Sequence, residues 1–320
     1  MKFNLKEIWK FTVEVFEQWS DDKAPKLGAA LSFYTMFSIA PLLVIAISVA
    51  GFIFGEEAAR GEIVTQIQSL IGREGAEVIQ TALKNTKDTE SGIIALTISF
   101  VTSFIGSTIV FVELQDSLNM IWKVKPKPGR NLIKGLIRDR LMSFTIVIGT
   151  GFLLLVSLII SALLSALSSY ITESFAGFPI WILEFLNVII SLGIIYLLFA
   201  MIYRILPDVH LRWSDVWVGA LVTSILFVLG KYLIGLYIGT STLGSTYGAA
   251  GSLVILLLWI YYSAQILFLG AEFTQVYAER FGSGIRPKSK FMRYHLDTGA
   301  PERIKSAKQK HDEEKLQHDI

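Results

Sequence analysis

Residues 28–54 read GAALSFYTMFSIAPLLVIAISVAGFIF, without one charged side chain. A helix needs ~20 apolar residues to cross a ~30 Å hydrocarbon core, so this stretch is long enough to span a membrane. Five further segments of the same kind follow at 92–112, 141–168, 180–203, 216–238 and 249–277. The chain between them alternates in cation content. Lys plus Arg number 5 before the first segment, then 4, 7, 0, 2 and 0 in successive connections, and 10 after the last. The odd-numbered regions hold 24 and the even-numbered ones 4, the bias that retention of Lys and Arg on the cytoplasmic side produces. The sequence therefore predicts an all-α polytopic membrane protein of six transmembrane helices, with cytoplasmic N- and C-termini.

Composition agrees. The chain has 320 residues, 52% of them hydrophobic, and a mean hydropathy of +0.54, which is too apolar for an ordinary soluble domain. Its formal charge of +2 argues against the basic stripe of a nucleic-acid binder, so no nucleic-acid partner is expected. The expected partner is the lipid bilayer, with anionic lipid drawn to the cation-rich cytoplasmic face. There is no cysteine, which excludes disulfides, thiolate metal sites and cysteine nucleophiles. Residues 1–27 lack the apolar core and small-residue cleavage site of a signal peptide, so the first span is expected to act as an uncleaved insertion signal.

Three regions follow. In 1–27, Leu5, Ile8, Trp9, Thr12, Phe16 and Trp19 recur at helical spacing, and Lys6, Lys10, Glu14 and Glu17 take another face, so a helix lying in the cytoplasmic interface is predicted. Residues 28–277 form the bundle. Within it, 55–91 is the one sizeable extracytoplasmic connection, with two short apolar stripes broken near Gly72 that would cap the bundle or lie along the outer leaflet. The helix of span two should run on to Trp122 before Lys-Pro-Lys-Pro-Gly (125–129) stops it. Residues 278–320 begin with Arg280, Arg286, Lys288, Lys290 and Arg293, then become mixed in charge, and read as a basic, largely disordered cytoplasmic tail. Trp9, Trp19, Trp122, Trp181, Trp213 and Trp217 fall at predicted interfaces; Trp259 alone lies deep in a span.

Within the spans only Glu184, Lys231 and Glu272 are ionisable. Each costs ~2.5–3.5 kcal/mol at the bilayer centre on insertion scales, so each needs a reason. Lys231 lies ~10 Å by helical rise from the outer end of span five. It could snorkel outward, pair with Glu184, or attract an anionic substrate group. Glu272 sits near the inner end of span six, level with Glu113, Arg204 and Arg140, where a structural ion pair is the expected outcome. Pro41 removes the helical bond to the Phe37 carbonyl and predicts a kink in span one, just after Ser32, Tyr34, Thr35 and Ser38. The uncharged connection 239–252, rich in glycine and hydroxyls and containing Tyr247, would line a wet cavity or pack helices closely with Gly235 and Gly239. Candidate substrate or cavity residues are thus Lys231, Glu184, Tyr247, Pro41, Tyr34 and Glu272.

No catalytic constellation is visible. The four histidines (210, 295, 311 and 318) occur singly, and there is no nucleophile elbow, phosphate loop or HExxH pattern. Neither a metal nor a cofactor is expected, and an enzyme is the least favoured class.

The chain resembles the YihY/virulence factor BrkB family of bacterial inner-membrane proteins. The resemblance rests on Gly-Ala-Ala-Leu-Ser-Phe-Tyr-Thr-Met-Phe-Ser-Ile-Ala-Pro-Leu-Leu (28–43), Leu-Asn-Met-Ile-Trp (118–122) and Leu-Pro-Asp (206–208). It continues in Trp-Val-Gly-Ala (217–220), Ser-Thr-Tyr-Gly-Ala-Ala-Gly (245–251), Leu-Leu-Trp-Ile-Tyr-Tyr-Ser-Ala-Gln (257–265) and Gly-Ala-Glu-Phe (270–273). It implies a multi-pass protein of the bacterial inner membrane, tied to the cell envelope and to transport. Members have also carried a ribonuclease BN label, but this sequence has neither a His/Asp metal cluster nor a soluble catalytic domain to support it. Two function classes remain. One is a transporter or translocator of a lipid or other envelope component. The other is a non-transporting envelope scaffold, and a homo-oligomer is compatible with both.

Overall fold

The computed structural model describes residues 5–55, 109–126, 181–240, 250–282, 284–288 and 291–293, with isolated positions between 61 and 80. Spans two and three, apart from the end of the second, lie outside these residues, as does most of the 55–91 connection. In chain order the elements are α1 (Leu5–Asp21), α2 (Ala24–Phe54), α3 (109–121), β1 (Val124–Pro126), α4 (Trp181–Ile205), β2 (Val209–His210), α5 (Trp213–Thr240), α6 (Gly251–Arg280), β3 (Arg286–Pro287) and β4 (Phe291–Arg293).

In hydrocarbon every backbone amide must be satisfied within its own segment, which makes long helices the only open-ended way across. Three described helices meet the length and apolarity needed, at Val188–Ile205, Trp213–Ile238 and Leu253–Arg280. They coincide with predicted spans four, five and six. The first predicted span lies within the 31 residues of α2, which is helical straight through Pro41.

Among the described helices α6 has the most neighbours, packed against α5, α2 and α1, and α5 in turn packs against α4. Its contact with α5 is an interlock of small residues. Thr223 of α5 donates its hydroxyl proton to the Gly219 carbonyl one turn back (2.7 Å), and Thr274 of α6 does the same to Gly270 (2.6 Å). Each threonine then presses on the other helix's glycine: a methyl group at Gly219 would collide with Thr274, and one at Gly270 with Thr223 and Tyr203. Because lipid tails are as apolar as leucine, close backbone approach and satisfied polar groups hold such helices together. The buried Tyr203 hydroxyl completes the seam, donating to the Leu267 carbonyl (2.8 Å) beside Thr223 (3.0 Å).

α1 packs on α6 through Phe11, whose ring meets Phe273 edge-on at 5.1 Å and Phe281 at 5.9 Å, and through an Arg280–Glu14 ion pair of 2.6 Å. Its other face exposes Ile8, Trp9, Val13 and Phe16. The packed face is therefore Phe11, Glu14 and Val15, while part of the predicted stripe looks outward. Trp122 departs from the interfacial belt: it is fully buried, its ring edge-on to Tyr203 at 6.1 Å.

Among the described residues, four short strands add what helical periodicity does not announce. β1 pairs antiparallel with β4, Lys125 opposite Met292, and β2 pairs antiparallel with β3, Val209 opposite Pro287. The start of the region read as a disordered tail is thus folded back on the bundle. The cause is the end of α6, where the Phe281 and Gly282 amides both bond to the Tyr277 carbonyl and Gly284, at φ +71°, bonds to Ala278. This tight termination reverses the chain. The rest of the predicted tail, 294–320, lies outside the described residues.

The interlock predicts an asymmetry between glycines. Gly270→Ala should lose about 1–3 kcal/mol through overpacking, read as a lower unfolding temperature in detergent. Gly235→Ala, with no described atom within 4 Å of the new methyl, should leave that temperature unchanged or raise it. Equal effects would mean that the seam does not hold the helices.

Candidate functional site

The beginnings of α2 and α5 and the ends of α3, α4 and α6 meet at one end of the bundle, where two buried polar clusters tie them together. The first is built on Asp208, in the turn after α4. The residue is 1% exposed, and its carboxylate accepts hydrogen bonds from Gln115 Nε2 (3.0 Å) and Asn119 Nδ2 (3.1 Å) of α3. Asn119 also accepts from the Asp208 amide (2.8 Å), so the two residues clasp each other reciprocally. Lys288, beyond β3, donates to the Pro207 carbonyl (2.8 Å) with its ammonium 3.9 Å from the carboxylate. The Leu-Asn-Met-Ile-Trp and Leu-Pro-Asp stretches thus meet in this clasp.

The second cluster is more demanding. Asp22, in the corner between α1 and α2, is ion-paired through Oδ1 with Lys123, in the turn after α3. Glu272 of α6 faces both, and its side chain is entirely buried. Neither Glu272 oxygen, nor Asp22 Oδ2, has a hydrogen-bond partner among the described residues. Gln265 and Gln275 stand on α6 seven residues before and three after Glu272, a spacing that puts all three on one side of the helix. The Gln265 amide lies against the α2 backbone where any side chain at Gly28 would stand.

The corner is shaped for this contact at a conformational cost. Lys123 (φ +54°) and Lys23 (φ +56°) occupy the left-handed region, which costs a non-glycine residue on the order of 1 kcal/mol. At position 123 glycine would relieve that strain but supply no cation for Asp22. Burial pushes the Asp22 carboxyl up from its ordinary value, and this outweighs the opposing effect of the Lys123 ammonium and its hydrogen bond. On α1, burial likewise raises Glu14, partly offset by Arg280.

The other candidates are more scattered. Lys231 is half-exposed on α5, away from this cluster, with Tyr232, Leu233, Leu236 and Tyr237 exposed around it; no ion pair to it is found among the described residues. Tyr34 is 39% exposed on α2, its ring edge-on to Phe33. Pro41 and Glu184 lie in α2 and α4, but their side chains, like the whole of Tyr247, fall outside what is described. The expected partners of Glu272 are also revised for Arg204, whose guanidinium donates to the Leu211 carbonyl and lies 5.5 Å over the Trp213 ring. Sequence reasoning passed over Asp22, Lys123, Asn119 and Asp208. Their one signal in the sequence is position, since all four are polar residues at the ends of apolar helices.

These features define a multi-pass helical membrane protein with acidic side chains enclosed at one end of its bundle. The model of the virulence factor BrkB family matches residues 15–295, and the chain belongs to that family. Similar proteins include the UPF0761 membrane protein of Tolumonas auensis, 28% identical over 265 residues, 81% of this chain and 82% of that one. Those of Ralstonia nicotianae and Azotobacter vinelandii are 27% and 26% identical over 78% and 83% of this chain, which spans 55% and 62% of their lengths. No solved structure matches the chain.

Two measurements probe the site. Asn119→Ala removes both halves of the Asp208 clasp and should cost about 2–3 kcal/mol, more than Lys288→Met, whose partner keeps its amide donors. The Asp22 carboxyl supplies a pH dependence. The folded protein holds its proton more tightly than the unfolded chain does, so this contribution is complete below the unfolded value of about 3.9. It is lost as pH rises through the higher folded value. Unfolding temperature in detergent should therefore fall as pH climbs out of the ordinary carboxylate range, and Asp22→Asn should flatten the curve.

Proposed function

We propose that this protein is a bacterial inner-membrane translocator of a small-molecule or lipid component of the cell envelope, built from six spans with both termini cytoplasmic. The observation that carries this reading is Glu272, a fully buried carboxyl in a membrane-crossing helix, facing Asp22 and Lys123 with no donor to either oxygen among the described residues. An ionisable group at such a place is expensive to insert and is characteristic of substrate or ion pathways. The six-span topology is supported by the Lys/Arg alternation and by the convergence of the described helix ends at one end of the bundle. Lys231, Glu184, Tyr34, Pro41 and Tyr247 remain the candidates for the rest of the path, and the reading includes no hydrolytic or nuclease step. The interlocked α5–α6 seam favours a second reading, the non-transporting scaffold, because it fixes two helices rigidly.

One set of strains separates the two readings. Envelope lipids and exported metabolites are profiled by mass spectrometry in cells carrying wild type, Glu272→Gln, or a deletion. Translocation predicts that Glu272→Gln reproduces the deletion profile at normal protein level and unfolding temperature. A scaffold predicts a wild-type profile for Glu272→Gln. The topology is tested separately, and the absence of native cysteine allows single cysteines without background. Those in 60–88 should be labelled from outside and those in 123–135 and the tail protected; outside labelling of the tail would overturn the arrangement.

A further inference from the structure

We propose that Asp22 and Glu272 form a single-proton site, one proton held between the two carboxyls while Lys123 balances the charge that remains. The argument is one of charge and enclosure. Two acids and one base share a buried space at the junction of α1, α2, the turn after α3, and α6. Asp22 is 3% exposed and Glu272 0%. With all three ionised the cluster carries a net negative charge in a low-dielectric setting, where two facing carboxylates repel strongly. With all three neutralised, Lys123 would lose its charge beside a carboxyl that can accept its bond. One proton on the carboxyl pair, opposite an ammonium, leaves the cluster neutral.

The hydrogen bonding points the same way. Asp22 Oδ1 is occupied by Lys123, whereas Asp22 Oδ2 and both Glu272 oxygens have no donor among the described residues. Two carboxylates have no donor for each other. A carboxylic acid and a carboxylate do, and one proton converts the contact from repulsion into a charge-assisted hydrogen bond. The upward push on the Asp22 carboxyl by burial acts in the same sense.

The surrounding charges do not alter this balance. Asp21, on α1, adds negative charge near both acids and so favours the proton. Arg204 of α4 is committed to the Leu211 carbonyl and the Trp213 ring, and Asp215 of α5 lies against Gly282 with the Ser214 hydroxyl bonded to it at 3.0 Å. Exchange with water has an obvious side, since the Lys123 side chain is 12% exposed and the Asp22 side chain 0%. In the translocator reading this makes the proton the coupling ion, and that clause alone rests on that reading.

The test is infrared spectroscopy of the purified full chain in a maltoside detergent, which has no ester carbonyl. Wild type at neutral pH should show the C=O stretching band of a protonated carboxyl, shifting in deuterium oxide. Glu272→Gln and Asp22→Asn should each abolish it, because the acid left behind is neutralised by Lys123. Lys123→Met should keep the band at least at its wild-type strength, since two acids without a base still hold a proton between them. Absence of the band in wild type, or its survival in Glu272→Gln, overturns the proposal. If Asp22→Asn does not fold, the near-isosteric Glu272→Gln decides. No substrate enters the measurement, so an unchanged envelope profile in Glu272→Gln cells would remove the translocator reading and leave the proton site standing. An absent band would remove the site and leave translocation to another coupling.

Discussion

A carboxylate taken out of water must be met by donors, by a cation or by a proton, and at this end of the bundle each of the three answers is used. Asp208 is met mainly by donors, Asp22 by the Lys123 cation, and Glu272, on our reading, by a proton shared with Asp22. Each answer joins segments that are distant in sequence. The Asp208 clasp brings α3, the end of α4 and the chain beyond β3 to one point. The Asp22 pair brings the α1–α2 corner to the turn after α3, and Glu272 adds α6. The short strand pairs follow from this, because β1 and β4 start from segments already held beside one another.

The other seam uses a different force. Between α5 and α6 the side chains along most of the contact are apolar or small, and lipid offers no hydrophobic gain for bringing them together. Gly219 and Gly270 allow the backbones to approach, while Thr223 and Thr274 satisfy their hydroxyls on their own helices before meeting the opposite one. That seam needs no charge and tolerates no change of volume. The polar end needs charge, and accepts left-handed lysines to obtain it. A change of protonation would therefore act on the polar end and leave the α5–α6 seam in place.

How much of this was legible depended on the kind of signal. The helices of spans one, four, five and six follow from uninterrupted apolar length, and their described boundaries lie close to the predicted ones. Glu272 was legible because an acid inside a span is conspicuous. Its neighbours were not, since Asp22 and Lys123 are ordinary residues of a soluble helix end, and only the packing of α2 against α6 and their mutual ion pair remove them from water. Asn119 and Asp208 were quoted as parts of separate motifs, but a contact across 89 residues leaves no periodicity in either one. The strands were hidden for the same reason: two or three residues carry no alternation, and the fold-back that creates them is fixed by Gly284 and the end of α6. Trp122 misled because an aromatic at a span end fits an interfacial belt and a buried core equally well.

The cations that make the connections alternate in Lys/Arg content have a second use. Lys123, Arg204, Arg280, Lys288 and Arg293 all come from the Lys/Arg-rich regions, and every one has a structural partner: Asp22, the Leu211 carbonyl, Glu14, Pro207 with Asp208, and Glu279. A surface cation retained only for orientation would be free to vary between Lys and Arg, or to shift by a residue. These are not free in that way, since each answers a group fixed by another segment. The same cations hold one end of the bundle together. Glu272 thus owes its enclosure to segments distant in sequence, the α1–α2 corner and the turn after α3.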